Sequence, residues 1–534
     1  MQLIRPGRRA ADGISGERYR SRSVALAALC TILFLTFLDN TIVSVGLGNL
    51  QTDLHAGVTD LEWVVGAYAL TFASFMLACG MIGDELGRKK VMLAGAGVFC
   101  AGSVLCALAP NVGTLIAGRA IMGLGAAASE PGTLSVLRQI YTGERERARA
   151  VGVWAAVSGL ALALGPVIGG AIVGAWSWRG IFWFNLAFGL AALIVAVVVV
   201  PESADPHAAR VDTAGTLLGA GTLAALMFGI IDAETSSFGA AVPVTLFCVA
   251  AVLAAGFVWR EHRAVNPLIN LRFFRQPSFT VPNIVALCAY FATFAIFFFT
   301  ALFLSSVLND SGYRIALVFL PMTVLMIVAS VVAGYWTGAV GPRWPVTIGL
   351  VLFGAGLLIA GPQISIHPNY ALLSVALGLA GIGVGITVVP ITSAVLSAVP
   401  AEHSGMAAST ANTSREIGAV LGVGVLGSLI FTKLSSSLTA NLEQMKVASP
   451  IKSIIVGLEP TIVRIIETGQ GQIASQYSQY GPIVTEVLGA AGTSFAAGIR
   501  IGLDVAAGLV FFAAVLSVAT LRTTTVERGQ PVTR

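Results

Sequence analysis

The chain has 534 residues, 56% hydrophobic and 11% charged, with a mean hydropathy of +0.86 and a formal net charge of +5. So little charge cannot clothe a soluble surface of this size, and lipid must be the main solvent. The basic residues are scattered over short loops without an aromatic-laced stripe, which argues against a nucleic-acid partner.

A basic tail, 1–23, precedes the first apolar run, Val24 to Val45. That run is too long for a signal-peptide core and lacks a clear A-x-A cleavage site, so it is expected to stay as the first helix. Within it lies Leu38-Asp39-Asn40-Thr41-Ile42-Val43. A carboxylate this deep in hydrocarbon needs either a water-accessible cleft, where it carries protons, or a polar partner on a neighbouring helix.

Roughly 20 apolar residues are needed per crossing, and fourteen such runs follow one another. They divide into six within 24–200, a hairpin within 201–260, a linker 261–278 and six more within 279–521, before a tail 522–534. The expected fold is therefore an all-α membrane protein arranged as 6 + 2 + 6. Placing the N-terminus in the cytoplasm also puts Arg88, Lys89, Lys90, Arg145, Arg147, Arg149, Arg260, Arg263, Arg272 and Arg275 there, and the even count returns the C-terminus to that side. One extracytoplasmic loop, 433–495, escapes the charge rule by its length. Its apolar stretches, Ile451 to Leu458 and Ile462 to Ile466, are expected to form short amphipathic helices, in a spacer or in a lid or docking element.

Taken in order, the loops and spans carry several constellations. Gly80-Met-Ile-Gly83-Asp84-Glu-Leu-Gly87-Arg88-Lys89-Lys90 joins spans 2 and 3; its glycines permit a tight turn, and Asp84 is placed to pair with a base or a helix N-terminus of a neighbouring span. Arg119, in Arg119-Ala-Ile-Met-Gly-Leu-Gly of span 4, must face a cavity or an acid unless it snorkels to the interface. Glu130 stands eleven residues on, close to three turns, so it shares a face with Arg119 and is a second candidate for proton or cation binding. In span 5, Gly159-Leu-Ala-Leu-Ala-Leu-Gly165-Pro166-Val-Ile-Gly169-Gly170 offers a smooth face for close helix approach and a bend at the proline. Trp178, Arg179, Phe182 and Asn185 read as an interfacial anchor. The phenylalanines of span 9, Phe291, Phe294, Phe297, Phe298, Phe299 and Phe303, are split between an apolar pocket and lipid. Adjacent Arg415 and Glu416 in span 13 point about 100° apart and serve different neighbours. Asp504 in the last span has Arg500 one turn earlier, the spacing of a local ion pair. The six cysteines lie in or beside apolar runs and read as packing residues.

The Gly80 segment aligns with Gly334-Tyr-Trp-Thr-Gly-Ala-Val-Gly341-Pro-Arg343-Trp, superposing Gly87 on Gly341 and, further on, Gly95 on Gly349. A duplicated chain with parallel repeats puts a substrate site between the halves near the midplane.

Together these residues resemble the major facilitator superfamily, in particular its fourteen-span drug:proton antiporters, over nearly the whole chain except the basic tail and the long last loop. The resemblance implies a cytoplasmic gating role for Gly80, Gly83, Asp84, Gly87, Arg88 and Lys89, proton coupling through Arg119 with Asp39 as the key acid, and an antiporter motif at Gly159, Gly165, Pro166, Gly169 and Gly170. Two departures stand out. Ser44-Val-Gly46-Leu-Gly48 replaces the family's more usual asparagine, alanine and proline, and Glu130 occupies a place where the family usually has an uncharged residue. The implied function is export of small amphipathic or cationic compounds against protons, driven by the proton motive force without a cofactor, by a monomer in a bacterial inner membrane. Export of an endogenous lipid, siderophore or metabolite is the alternative. A membrane-embedded enzyme is disfavoured because His55, His207, His262, His367 and His403 are dispersed, and neither HExxH nor GxxxxGK[ST] occurs.

Overall fold

A computed structural model describes residues 8–141, 143–204, 211–236, 238–264, 267–400, 404–444 and 482–521. Long apolar stretches leave the helix as the only way to pair every backbone group in lipid, and none of the described residues is in a strand. The first bundle comprises α1 (Arg8–Ile42), a 3-10 turn (Val43–Gly46), the short α2 (Leu47–Leu54), α3 (Val58–Leu86), α4 (Arg88–Ala107), α5 (Val112–Ile140), α6 (Glu144–Ala175) and α7 (Arg179–Val199). A hairpin of α8 (Thr213–Ser236) and α9 (Ala241–Arg263) follows, and then the second bundle, α10 (Pro277–Ser306), α11 (Gly312–Val340), α12 (Arg343–Ala360), α13 (Tyr370–Ser397), α14 (Ser404–Gln444) and α15 (Pro482–Thr520). Among the described residues, fourteen helical stretches are long and apolar enough to cross a bilayer, the first running from Arg22 through α2 to Leu54.

The duplication is visible in the backbone. Gly87 and Gly341 end α3 and α11 with φ of 117° and 79°, the two positive-φ glycines among the described residues. Glycine alone reaches such angles without strain. Beyond each turn the same close packing recurs. A Cβ on Gly95 would meet the Gly125 carbonyl oxygen at 2.7 Å, and a Cβ on Gly349 would meet that of Gly383 at 2.8 Å. Thus α4 lies against α5 as α12 lies against α13, backbone to backbone.

Between the bundles, α6 is held by α1 on one side and α11 on the other. Cβ atoms on Gly165 would collide with Thr41 and Ile42 of α1, and on Gly170 with Gly312 and Ala316 of α11. Pro166 cannot donate to the carbonyl of Leu162; the Thr41 hydroxyl donates to it instead, at 2.9 Å. Thr323 of α11 donates to the Ala163 carbonyl at 2.6 Å, tying the second bundle to the same bend. At the end of the molecule opposite the Gly87 turn, Ser306 of α10 donates to Gln51 of α2 at 2.8 Å.

The α8–α9 hairpin belongs to neither bundle. Asp212 caps α8, accepting from the Gly215 amide at 3.1 Å, and pairs with Arg260 of α9 at 2.9 Å, closing the hairpin at its base. While α9 is largely exposed, α8 packs on α3 and α14 through Leu70, Met227 and Ile231.

Four expectations need correction. First, helix continues well past Lys433 to Gln444 and resumes at Pro482, with Asn441 donating to Ser494 at 2.9 Å, so the connecting segment is 445–481 rather than 433–495. The added turns are rich in serine and threonine, which hydropathy does not register. The expected amphipathic helices near Ile451 and Ile462 fall outside the described residues. Second, the six phenylalanines named above are all buried, as is Phe279 of the same helix, since α10 packs against α13, α14, α15 and the Val43–Leu54 segment and has almost no lipid face. Third, of the four residues read as an interfacial anchor, Trp178, Phe182 and Asn185 are buried inside the bundle, Trp178 donating to Asp53 at 2.9 Å. Fourth, Asp504 and Arg500 are exposed on α15 and form no ion pair within 4.0 Å.

Candidate functional site

The deepest charged pair joins Asp39 of α1 to Arg119 of α5, and both side chains are at most 1% exposed. Arg119 does not snorkel. It also donates from Nε to the Val64 carbonyl at 2.9 Å and lies 4.5 Å from the ring centre of Tyr68, both on α3. The other Asp39 oxygen accepts from Asn185 of α7 at 2.6 Å. A buried ion pair is tolerable only when its remaining donors and acceptors are met, and here four helices of one bundle meet them.

One residue along α1 the network crosses to the second bundle. Asn40 donates to Glu416 of α14 at 3.0 Å, while Asn412, one turn earlier on α14, donates to Glu130 of α5 at 2.5 Å. Arg415 donates to Asn412 at 2.9 Å and to the hydroxyl of Thr392 on α13, with Tyr290 of α10 facing it at 5.4 Å. Arg415 and Glu416 do serve different neighbours, as their helical spacing requires. Glu130, Glu416 and Arg415 are each 1% exposed. Among the described residues, one oxygen of each glutamate is buried without a hydrogen-bond partner, and neither glutamate comes within 4.0 Å of a guanidinium nitrogen.

Asp39, Arg119, Glu130, Arg415 and Glu416 are thus gathered into one polar core. Glu130, three turns along α5 from Arg119, reaches across to α14. Asp504 lies apart from the core. Sequence reasoning gave no site role to Asn40, Asn412, Thr392, Tyr68 and Tyr290, and read Asn185 as part of an interfacial anchor; these residues supply the hydrogen bonds and ring faces around the charges. The signal available was their placement beside or one turn from a buried charge, as with Asn40 next to Asp39 and Asn412 before Arg415.

At the Gly87 end, Asp84 pairs with Arg88 across the turn at 2.7 Å, and Lys89 donates to the Val197 carbonyl of α7 at 2.8 Å. The segment after α7 folds back onto the start of α4, the Ser203 carbonyl accepting from the Arg88 amide at 2.7 Å and Glu202 from the Lys89 amide at 3.1 Å. These ties hold the loop to its own bundle. The approach to the other bundle is at Gly80 and Pro131, beside Ser409 of α14. Among the described residues no group of three His, Cys, Asp or Glu side chains is placed to hold a metal ion, and every cysteine among them is free, Cys248 alone being exposed.

Residues 29–423 match the family described as the Major Facilitator Superfamily. The chain is 34% identical over 425 residues to the multidrug resistance protein Stp of Mycobacterium tuberculosis, covering 80% of this chain and 79% of that protein. With the drug efflux pump JefA of the same species the identity is 30% over 498 residues, covering 91% and 95%. Among solved structures, a bacterial homologue of the human lysosomal transporter Spinster, inward-facing and unoccupied, is similar with a TM-score of 0.63 at 17% identity, over 94% of this chain and 99% of that one. At that identity the likeness speaks to fold alone.

Proposed function

The chain belongs to the Major Facilitator Superfamily and is a multi-pass membrane transporter rather than an enzyme, and from that premise we propose that it exports small amphipathic or cationic compounds in exchange for protons, as a monomer working by alternating access. The observation that carries this reading is a charge imbalance. The polar core holds three carboxylates, Asp39, Glu130 and Glu416, against two guanidiniums, Arg119 and Arg415. A low-dielectric core does not keep an odd negative charge. One proton or one organic cation restores neutrality, so the two compete for the same deficit, and that competition is what antiport requires.

Geometry supplies the coupling. Asp39 and Arg119 form a pair internal to the first bundle, whereas Glu130 and Glu416 tie that bundle to α14. Taking up or losing a proton at either glutamate changes the strength of a tie between the halves, since hydrogen bonds to charged groups are about twice as strong as neutral ones. The choice of drug-like cargo rests on the relatives whose names are multidrug resistance protein and drug efflux pump. The basic residues clustered at the Gly87 end favour a cytoplasmic position for that end, and with it for both termini, in a bacterial inner membrane, with the Gly80–Lys89 turn acting as the cytoplasmic gate.

Inverted vesicles test the reading. An imposed proton gradient drives ethidium into wild-type vesicles and a protonophore abolishes the uptake. Asp39→Asn, Glu130→Gln and Glu416→Gln each reduce proton-driven uptake at least tenfold. Uptake unaffected by the protonophore removes proton coupling, and undiminished uptake in all three variants removes the polar core as its seat.

A further inference from the structure

The two copies of the glycine turn balance their charge differently. In the first, Asp84 pairs with Arg88, and Glu202 of the segment after α7 accepts from the Lys89 amide. In the second, the alignment puts Gly338 where the first has Asp84, yet the base persists, Arg343 falling on Lys89. Among the described residues no acid comes within 4.0 Å of Arg343. Its Nε is buried without a hydrogen-bond partner, and its guanidinium carbon lies 5.5 Å from the centre of the Trp344 ring.

The surroundings of that base differ as well. As α4 packs on α7, so α12 packs on α15. The segment after α7 closes over the start of α4, whereas at the start of α12 there is a recess of about 860 Å³, walled by the ends of α10, α12, α13 and α15. That volume lies in the range of about 300–1,000 Å³ typical of small-molecule sites. Arg343 is the one charged residue among the described residues that line it. Of the hydroxyls in its wall, those of Ser397 and Thr520 donate to carbonyls of their own helices, at 3.0 and 2.7 Å. Arg343 and the exposed Ser278 are left to donate to a ligand. A guanidinium meets the oxygens of an anion with two parallel N–H bonds. Because α12 begins Pro342-Arg343-Trp344-Pro345, two backbone N–H donors are missing there, and recognition falls to the side chain. Depth chooses the anion. Tyr335, near the end of α11, and Trp344 are 81% and 45% exposed, and such aromatic residues lie at the headgroup level of a bilayer. The anion concentrated at that level is lipid phosphate, for which basic pockets between spans are receptors.

We propose that the recess at the start of α12 is a binding site for an anionic phosphate ester, the phosphate held by Arg343 and Ser278. A phosphatidylglycerol headgroup and a free phosphate monoester share this chemistry, and the level of Trp344 makes the lipid the expected source. The site stands whatever the chain carries and whatever drives it.

The full chain provides the test. In native mass spectrometry from micelles holding equal amounts of phosphatidylglycerol and phosphatidylcholine, wild type retains the anionic lipid over the zwitterionic one by about fivefold. Arg343→Gln removes most of that preference and Arg343→Lys keeps part of it. Arg263→Gln, which takes an equal charge from the end of α9 beside Trp259, leaves it intact. In a Cys248→Ser background in phosphatidylcholine nanodiscs, added phosphatidylglycerol slows the reaction of Ser278→Cys with a maleimide, and glycerol 3-phosphate does not. Slowing by glycerol 3-phosphate as well supports the site and identifies a soluble ester as its second source. A lipid preference unchanged in Arg343→Gln overturns the proposal, as does an equal loss in Arg263→Gln, which marks diffuse surface charge. Labelling of Ser278→Cys slowed by neither compound overturns the placement.

Discussion

Asn40 of α1 donates a 3.0 Å hydrogen bond to Glu416 of α14, directly beside the Asp39 that pairs with Arg119. One helix thus carries, on consecutive residues, an ion pair internal to the first bundle and a tie to the second. Removing a hydrogen bond to a charged group costs about 2 kcal/mol, roughly thirtyfold in the ratio of closed to separated halves. Spin labels at Leu108 and Ile366, exposed positions in loops of the two bundles, report this ratio. In Asn40→Leu the distance distribution shifts toward longer separations, and Glu416→Gln in the same background adds little. A distribution identical to wild type means the tie does not hold the halves together.

The buried pair Asp39–Arg119 makes a prediction about stability. Removing one partner strands a charge in the core, a loss of about 3–5 kcal/mol, while removing both leaves no charge behind. Asp39→Asn and Arg119→Gln each lower the thermal unfolding midpoint of the purified protein in detergent, and the double variant unfolds above both. A double variant less stable than either single one would mean that the hydrogen bonds from Asn185 and to the Val64 carbonyl, rather than the paired charges, stabilise this site.

Much of this was legible in the sequence, and the rest was hidden for reasons of chemistry. Span count and order follow from hydrocarbon thickness, and Asp39, Arg119, Glu130, Arg415 and Glu416 announced themselves because charge in a span is expensive. Partner choice did not, because it depends on which helices meet. Glu130 shares a face with Arg119 yet reaches Asn412, a residue that looks ordinary among alanines and threonines. The α10 phenylalanines were ambiguous because lipid and protein core are equally apolar, so hydropathy cannot tell a central helix from a peripheral one. The Gly87 and Gly341 turns, by contrast, were readable because only one residue type suits their backbone.

That backbone requirement is itself testable. At φ of 117° and 79°, an alanine at Gly87 or Gly341 is strained by about 1 kcal/mol or more, and at Gly87 its Cβ also meets the Glu202 carboxylate at 2.9 Å. Gly87→Ala therefore lowers the unfolding midpoint more than Gly341→Ala, and Glu202→Ala in the Gly87→Ala background recovers part of the difference. Equal effects of the two alanines would show that the Glu202 contact is relieved at no cost.

The glycines of α6 are not equivalent. Added Cβ atoms on Gly165 and Gly170 would lie 2.8 Å from the Thr41 Cβ and 2.7 Å from the Ala316 Cβ, tighter than packed carbons allow, whereas one on Gly159 meets Ser330 at an ordinary 3.6 Å. Gly165→Val and Gly170→Val force α6 away from α1 and α11 and abolish vesicle uptake of ethidium, while Gly159→Ala retains most of it. Loss of uptake in Gly159→Ala alongside full activity in Gly165→Val would reverse this ranking of the motif.

The bend at Pro166 gives the most local prediction. Proline leaves the Leu162 carbonyl without its helical donor, and Thr41 of α1 supplies one at 2.9 Å. In Thr41→Val the carbonyl is left unsatisfied in an apolar interior, a cost of about 1–3 kcal/mol. With alanine at position 166, the helix regains its own N–H for Leu162 and the hydroxyl becomes redundant. The drop in unfolding midpoint caused by Thr41→Val in the native sequence should therefore vanish in the Pro166→Ala background, a coupling that a double-mutant cycle isolates. Additive effects would place the contribution of Thr41 in its packing against Gly165 instead. In that case the bend is stabilised by close approach alone, and the Thr41 hydroxyl does not set its position.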